Sequence, residues 1–324
     1  LNIKIVLTYL LSYLIFLIIF WPLLWENPIQ NFLSYFQVLG DYFNSKVQFL
    51  GNYYFSNNLP YYYLIFWIYI STPVIHLFFF SIGFILYTTR LVKRFFKIKK
   101  ISLYNDLWRS NEEKKDFLIF LNLIIFFIFF TFMNVKLYNS WRMAYFLYIF
   151  IIYFAVYAIY IMNITAKRKK IKFKNKIGFV LITVFILFSC YRIYLYHPYQ
   201  SFYFNILVKK NIKDTLDVDY TGLSGLSFLK EVSSLEKDKN KIYIGVASWY
   251  PLWRMTELLD KKDQNRIIIL SNEDRYKSDY IYSNRISDVD KKKYKKYNIP
   301  KNFKKIKEHI VDGAIIYEVY KRLE

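Results

Sequence analysis

Long apolar stretches run through the first 196 residues and predict membrane-spanning helices. Five stretches have about 20 mostly apolar residues, the length that crosses the hydrocarbon core of a bilayer. They cover residues 5–24, 61–87, 117–134, 144–163 and 177–195. The second contains Pro73, which predicts a kink. None has the charged face that a helix packed in a soluble protein shows to water, so we interpret all five as transmembrane helices.

The first stretch has one alternative interpretation. With Lys4 as a basic flank, it resembles a secretory signal peptide. Its apolar run is too long for one and no small-residue cleavage site follows it, so we favour a transmembrane helix. Because the chain begins with Leu1 rather than Met, we also expect it to be a fragment of a longer protein.

Basic residues concentrate in alternate loops and predict an orientation. Residues 90–115 contain nine Lys or Arg and residues 167–176 contain seven, whereas residues 25–60 contain only Lys46. Loops rich in Lys and Arg face the cytoplasm. We therefore predict a multi-pass protein of the cell inner (plasma) membrane, with a cytoplasmic N-terminus and an extracytoplasmic C-terminal tail.

The first long loop and the tail have patterns of their own. In the loop, Ile29, Phe32, Leu33, Phe36 and Phe43 recur at helical spacing, which predicts an amphipathic helix at about 29–43 in the outer interface. The Tyr- and Asn-rich segment 52–63 that follows is expected to anchor at the interface or, alternatively, to form a lid over a cavity.

The tail is predicted to be a small α/β domain, residues 197–324, separate from a transmembrane domain, residues 1–196. We expect an open sheet of parallel type that ends in a hairpin at Asp312-Gly313. The predicted helices are 226–235, 251–259 and 302–309, and the predicted strands are 242–247, 266–270 and 279–282. The fold class is thus an α-helical polytopic membrane protein with about five transmembrane helices and a C-terminal α/β extracytoplasmic domain.

Composition excludes several functions. Among 324 residues, Lys+Arg number 46 against Asp+Glu 24, a net charge of +22. This charge lies largely in the two basic loops and sets topology, so we do not expect nucleic acid as a partner. One Cys and three His rule out a disulfide framework and disfavour a Cys/His zinc site, and we predict neither a metal nor a cofactor.

Three basic residues lie at the predicted outer edge of the membrane. Lys136 and Arg142 flank the turn between the third and fourth spans, and Arg192 is near the end of the fifth. Cations at this depth suit a phosphate, which arginine binds through two parallel hydrogen bonds. The alternative is that they reach towards lipid headgroups, as Lys and Arg at span ends commonly do.

Other polar residues are less informative. His197 is either a proton carrier or a helix cap. Glu26 and Asp41 are the acidic residues of the long outer loop. Either could act as a base, but no sequence feature pairs one of them with another catalytic group. His76, inside the second span, is a packed or pore-facing histidine, and Cys190 is expected to be buried and inert.

Several segments resemble bacterial membrane glycosyltransferases of the protein-mannosyltransferase and aminoarabinose-transferase-like group, which have the GT-C fold. One is Tyr138 to Tyr148, with Ser140 and Met143 where members often have Gly and His. Others are His197-Pro198-Tyr199-Gln200 with Tyr203-Phe204-Asn205, Asp219-Tyr220-Thr221-Gly222, Leu59-Pro60-Tyr61-Tyr62-Tyr63, Thr72-Pro73, Ser278 to Arg285 and Val319 to Arg322. The resemblance covers nearly the whole chain and corresponds to the C-terminal half of a full enzyme.

This resemblance implies a sugar donor carried on polyprenyl phosphate and a glycan, lipid or protein acceptor at the outer face. The family's catalytic base is an Asp in an N-terminal outer loop that this sequence does not contain. Arg142 is expected to bind the donor phosphate, where it would stabilise the charge of the leaving group. Lys136 and Tyr61 are further substrate-binding candidates, as are His197 and Gln200, although the latter two are better suited to fixing the join between membrane and tail.

Two other functions stay open at this point. A non-catalytic membrane protein could bind a lipid-linked glycan or a partner through its outer domain. A transporter is disfavoured because no paired repeat of broken spans is present.

Overall fold

The computed structural model describes residues 3–40, 43–96, 108, 110–133, 135–168, 174–287 and 295–323. Much of both basic loops lies outside these residues, and the orientation stays a prediction. The described helices are α1 (Ile3–Phe20), α2 (Pro28–Gly40), α3 (Tyr63–Ser71), α4 (Val74–Phe96), α5 (Asn111–Phe132), α6 (Leu147–Arg168), α7 (Lys174–Leu195), α8 (Lys210–Lys213), α9 (Ser224–Leu235), α10 (Trp253–Thr256) and α11 (Lys261–Gln264). Five of them, α1, α4, α5, α6 and most of α7, are long and apolar enough to cross a membrane.

The chain forms two compact units, Leu1–Asn44 and Ser45–Glu324. In the first unit, a short 3-10 turn connects α1 to α2, and the ring of Trp21 packs edge-on against Tyr35 at 4.8 Å. Helix α2 corresponds to the predicted amphipathic helix at about 29–43. Asp41, one of the two acidic residues of this loop, lies outside the described residues. The predicted domain boundary between residues 196 and 197 falls inside the second unit.

The second predicted span is two helices rather than one kinked helix. Between them, Thr72 is extended, with φ −89° and ψ 135°, the conformation that a residue before proline prefers. Asn205 is fully buried, and its side chain donates a hydrogen bond to the carbonyl of Thr72 at 3.0 Å. Its backbone N–H donates to the carbonyl of Ile70 at 2.8 Å. Asn205 therefore satisfies carbonyls that lose their helical partners at Pro73.

A hairpin occupies part of the segment predicted to anchor at the interface. Strands β1 (Lys46–Phe49) and β2 (Asn52–Phe55) pair in antiparallel register. Their turn has positive φ at both Leu50 (50°) and Gly51 (81°), as a two-residue type I′ turn requires. A backbone N–H of β1 donates to the carboxylate of Asp217 at 2.9 Å, so the hairpin is attached to the tail.

The tail contains the predicted sheet, which is mixed rather than mainly parallel. The strands are β3 (Ile242–Val246), β4 (Ile267–Ile269), β5 (Tyr280–Ser283), β6 (Phe303–Val311) and β7 (Ala314–Arg322). Their order is β4-β3-β5-β7-β6, with β3 parallel to β4 and β5, and β7 antiparallel to its neighbours. Helix α9 contributes the buried side chains of Phe228, Leu229 and Val232 to the hydrophobic core. Its presence confirms the predicted helix at 226–235.

Two predicted helices of the tail need correction. Residues 303–309 of the first predicted helix lie in strand β6, because the turn at Asp312 (φ 49°) and Gly313 (φ 76°) folds this segment back onto β7. Exposed lysines along β6 suit an edge strand, which must not pair with other chains. The helix predicted at 251–259 is limited to the single turn of α10. For residues 303–309, the pairing of β6 with β7 across the turn outweighs the local helical pattern of the sequence.

Candidate functional site

A cavity of about 870 Å³ lies where several helix ends meet the tail. Its walls come from the start of α4, the segment before α6, the last turns of α7, residues 200–206 and Tyr220. Most of the lining is apolar or aromatic. The polar lining residues other than tyrosine are Ser71, His76, Ser140, Arg142, Ser189, Arg192, Gln200 and Ser201. Within the described residues no carboxylate lines this cavity, so it suits a largely apolar ligand with an anionic group.

Arg142 is the cation of this cavity that has no acidic partner in the described part of the chain. Its guanidinium lies over the rings of Tyr138 and Tyr220, at 5.6 Å and 5.4 Å from their centroids. Cation–π attraction to both rings restricts the position of the guanidinium. The side chain is exposed and therefore accessible to a ligand.

The loop before Arg142 is tightly held. The indole N–H of Trp141, a buried residue, donates to the hydroxyl of Ser71 at 2.8 Å. The hydroxyl of Tyr63 donates to the carbonyl of Tyr138 at 2.6 Å. Tyr138 (φ 52°) and Ser140 (φ 63°) have the left-handed conformation, which is uncommon for residues other than glycine. The position of Arg142 is thus set by α3 and by a backbone that residues with a Cβ rarely adopt.

Arg192 also lines the cavity, but its charge is already paired. Its guanidinium donates to the carboxylate of Asp312 at 3.0 Å and to the hydroxyl of Tyr196 at 3.1 Å. The nearly buried ammonium of Lys213 lies 3.0 Å from the same carboxylate. Burial by itself raises the pKa of Asp312, but hydrogen bonds from Tyr196, Arg192 and Lys213 outweigh it and hold this pKa below its ordinary value. Arg192 therefore ties the end of α7 to the β6–β7 turn.

The structure separates the other predicted site residues. Gln200 lines the cavity together with Arg142. His197 is exposed and does not line it, but its Nδ1 lies 3.0 Å from the side-chain nitrogen of Gln200. Tyr61 lines a separate pocket of only about 10 Å³, and Lys136 lines neither space.

His76 lies on the cavity wall, in the first turn of α4. Its Nδ1 is 2.5 Å from the hydroxyl of Tyr148, and its ring packs against Phe185 at 5.4 Å. The other ring nitrogen, Nε2, has no hydrogen-bond partner among the described residues and is not a buried atom. The sequence shows His76 as a histidine within an apolar helix. Its hydrogen-bond partner, Tyr148, lies 72 residues away, so no local pattern predicts this contact.

A buried carboxylate adjoins the cavity residue Tyr220. Asp219 is fully buried, and its carboxylate accepts hydrogen bonds from the hydroxyl of Ser224 and from the amide of Asn284 at 3.2 Å. Its second oxygen, Oδ1, has no partner among the described residues. Burial raises the pKa of Asp219 to about 6, although these hydrogen bonds oppose the rise.

The change Asp219→Asn is therefore expected to stabilise the protein at pH 8 by roughly 1–3 kcal/mol. The pKa is higher in the folded chain than in the unfolded chain, so the favourable contribution of Asp219 is complete below about pH 4 and is lost as the pH rises through about 6. The advantage of the variant should shrink at pH 5. Melting of the full chain in detergent at both pH values measures it, with the exposed Asp238→Asn as control. A variant that melts below the wild type at pH 8 contradicts this assignment.

The described residues contain no group of His, Cys, Asp and Glu side chains that could hold a metal ion. Searches against protein-family models, curated protein sequences and solved structures found no match to the chain. The function is therefore inferred from the cavity and from the resemblance in the sequence motifs.

Proposed function

We propose that the chain is part of a membrane glycosyltransferase that binds a polyprenyl-phosphate-linked sugar and transfers the sugar to an acceptor at the outer face of the membrane. The observation that carries this proposal is Arg142, a guanidinium without an acidic partner in the described residues, on the wall of a largely apolar cavity. A lipid phosphate combines an apolar tail with an anionic head, and both find matching groups there.

Arg142 acts on the leaving group in this proposal. When the bond between the sugar and the phosphate breaks, the phosphate oxygen gains negative charge. A guanidinium already in position stabilises that charge without having to reorganise. The rings of Tyr138 and Tyr220 support this role because they restrict the guanidinium while its N–H groups stay available to two phosphate oxygens.

The change Arg142→Ala is expected to weaken binding of undecaprenyl phosphate by roughly 10- to 100-fold, the equivalent of a lost charge-assisted hydrogen bond. The measurement is titration of the full chain in lipid nanodiscs. Arg254→Ala is the matched control, because Arg254 is also exposed and also lies over an aromatic ring, that of Trp253 at 5.4 Å. Equal affinities for the wild type and Arg142→Ala would remove Arg142 from the site.

The same cavity supports a second candidate function. An apolar lining and a guanidinium without an acidic partner in the described residues would equally serve a protein that binds a lipid-linked glycan without transferring the sugar. Nanodiscs that bind undecaprenyl phosphate but release no sugar from radiolabelled undecaprenyl-phosphate sugars would favour this second function.

A further inference from the structure

The tail's sheet has one edge at which its parallel strands end, and we call it the carboxyl edge. Residues 247–250 follow β3 there, and residues 284–287 follow β5. The β6–β7 turn at Asp312 lies at the same edge, because β7 is antiparallel to β5 and begins just after this turn. A Cβ on Gly225, in the first turn of α9, would lie 2.8 Å from the side chain of Leu252, so α9 also begins beside this edge.

The carboxyl edge is attached to the ends of the long helices. Its β6–β7 turn is paired with Arg192, which lies in the last turn of α7. The amide of Asn284 donates to the carboxylate of Asp219, and the ring of the next residue, Tyr220, lies 5.4 Å from the guanidinium of Arg142, between α5 and α6. These helices are long and apolar enough to cross a membrane, so their ends lie near the lipid headgroups in a membrane-spanning protein. The carboxyl edge is therefore held at that level.

Both tryptophans of the tail are exposed at or beside this edge. Trp249 lies on the carboxyl edge and Trp253 in the short helix α10 that follows it, and they are 49% and 54% exposed. Leu223, which precedes α9, is 42% exposed. The opposite edge, where β3 and β5 begin, exposes Tyr276 next to the charged Lys277. Large apolar side chains exposed together on one side of a domain commonly mark an interaction surface.

We propose that Trp249 and Trp253 bind the surface of the lipid bilayer and hold the carboxyl edge of the tail against it. Tryptophan is enriched at membrane–water interfaces, because its ring is largely apolar while its N–H donates a hydrogen bond. The position of the edge favours lipid as the occupant, since the helix ends that hold the edge are the parts of the chain nearest to the headgroups. A partner protein bound to these rings would have to enter between the tail and the bilayer.

Fluorescent labelling of the full chain in phosphatidylcholine nanodiscs tests this contact. Cys190→Ser removes the one cysteine of the sequence, and Trp253→Cys then accepts a nitrobenzoxadiazole probe. Nitroxide groups on the lipid headgroups are expected to quench this probe at least about twofold, because a residue of the interface lies within the headgroup layer. Iodide dissolved in the water is expected to quench it less than it quenches a probe on the opposite edge.

The matched control is Tyr276→Cys in the same Cys190→Ser chain. Tyr276 is 52% exposed, almost as much as Trp253, but it lies on the opposite edge of the sheet. Its probe is expected to be quenched by iodide and not by the nitroxides. Equal nitroxide quenching at the two positions, or none at either, would overturn the lipid contact. Protection of residue 253 from iodide without nitroxide quenching would also overturn it, because protein rather than lipid would then cover this position.

A second measurement needs no probe and reports on both native rings. The fluorescence of the wild type minus that of a chain with both Trp249→Phe and Trp253→Phe is the signal of these two tryptophans. Lipids brominated near the headgroup end of their acyl chains are expected to remove at least about half of this difference. A difference of the same size in brominated and ordinary lipids would contradict the proposal. Neither measurement depends on sugar transfer, so a failure here leaves the glycosyltransferase proposal standing.

Discussion

Replacing Gly83 with alanine is expected to push α4 away from α6 and to cost about 3 kcal/mol or more of unfolding free energy. A Cβ on residue 83 would lie 1.8 Å from the carbonyl oxygen of Phe154 and 3.2 Å from the backbone nitrogen of Ala158. Both are backbone atoms of α6, so no side-chain rotation relieves the contact. Small residues allow this kind of close helix packing in membranes, and the missing Cβ is what brings these two helices together.

The consequence extends to the aromatic cluster beside this contact. Phe154 packs against Tyr87 at 5.5 Å and against Phe84 at 5.9 Å, and these ring contacts open if the helices separate. Melting of the full chain in detergent should fall by on the order of 10 °C. Gly178→Ala in α7 is the matched control, because no atom lies within 4 Å of a Cβ there and alanine favours the helix. Equal melting temperatures for the two variants would contradict the close packing of α4 against α6.

The elements that could be predicted are those whose signal is local. Apolar length alone predicts five long helices, and the pair Asp312-Gly313 predicts the type I′ turn because both positions need positive φ. The break after α3 was only partly predictable. Pro73 indicates a disturbance, but whether it becomes a kink or a break depends on Asn205, whose amide donates to the carbonyl of Thr72 from 133 residues further along the chain.

The features that the sequence did not predict also depend on structure that leaves no local sequence signal. The turn of the β1–β2 hairpin places Leu50 at positive φ, where leucine gives no sequence signal. The candidate site behaves similarly. Arg142 and Arg192 both line the cavity, but only the folded chain shows that Arg192 is neutralised by a carboxylate 120 residues away. Charge placement follows from sequence, whereas the availability of a charge depends on tertiary pairing.

The change Asp312→Asn is expected to destabilise the full chain by roughly 2–4 kcal/mol, because it leaves two largely buried cations without their shared carboxylate. The side chains of Lys213 and Arg192 are only 5% and 13% exposed, and both lie 3.0 Å from Asp312. Asparagine keeps the turn, since Asn-Gly also forms type I′ turns, so the loss reports on charge rather than on backbone geometry. Glu273→Gln, an exposed acid, serves as the control.

The pH dependence gives the sharper test of this ion cluster. The pKa of Asp312 is lower in the folded chain than its ordinary value of 3.8, so its stabilising contribution is complete at neutral pH and is lost as the pH falls below about 4. The difference in melting temperature between the wild type and Asp312→Asn should therefore be largest near pH 7 and should narrow towards pH 3. Asp219 cannot produce this trend, because its raised pKa destabilises the chain as the pH rises through about 6. A difference that is constant from pH 7 to pH 3 would mean that the carboxylate of Asp312 does not hold α7 to the terminal hairpin through its charge.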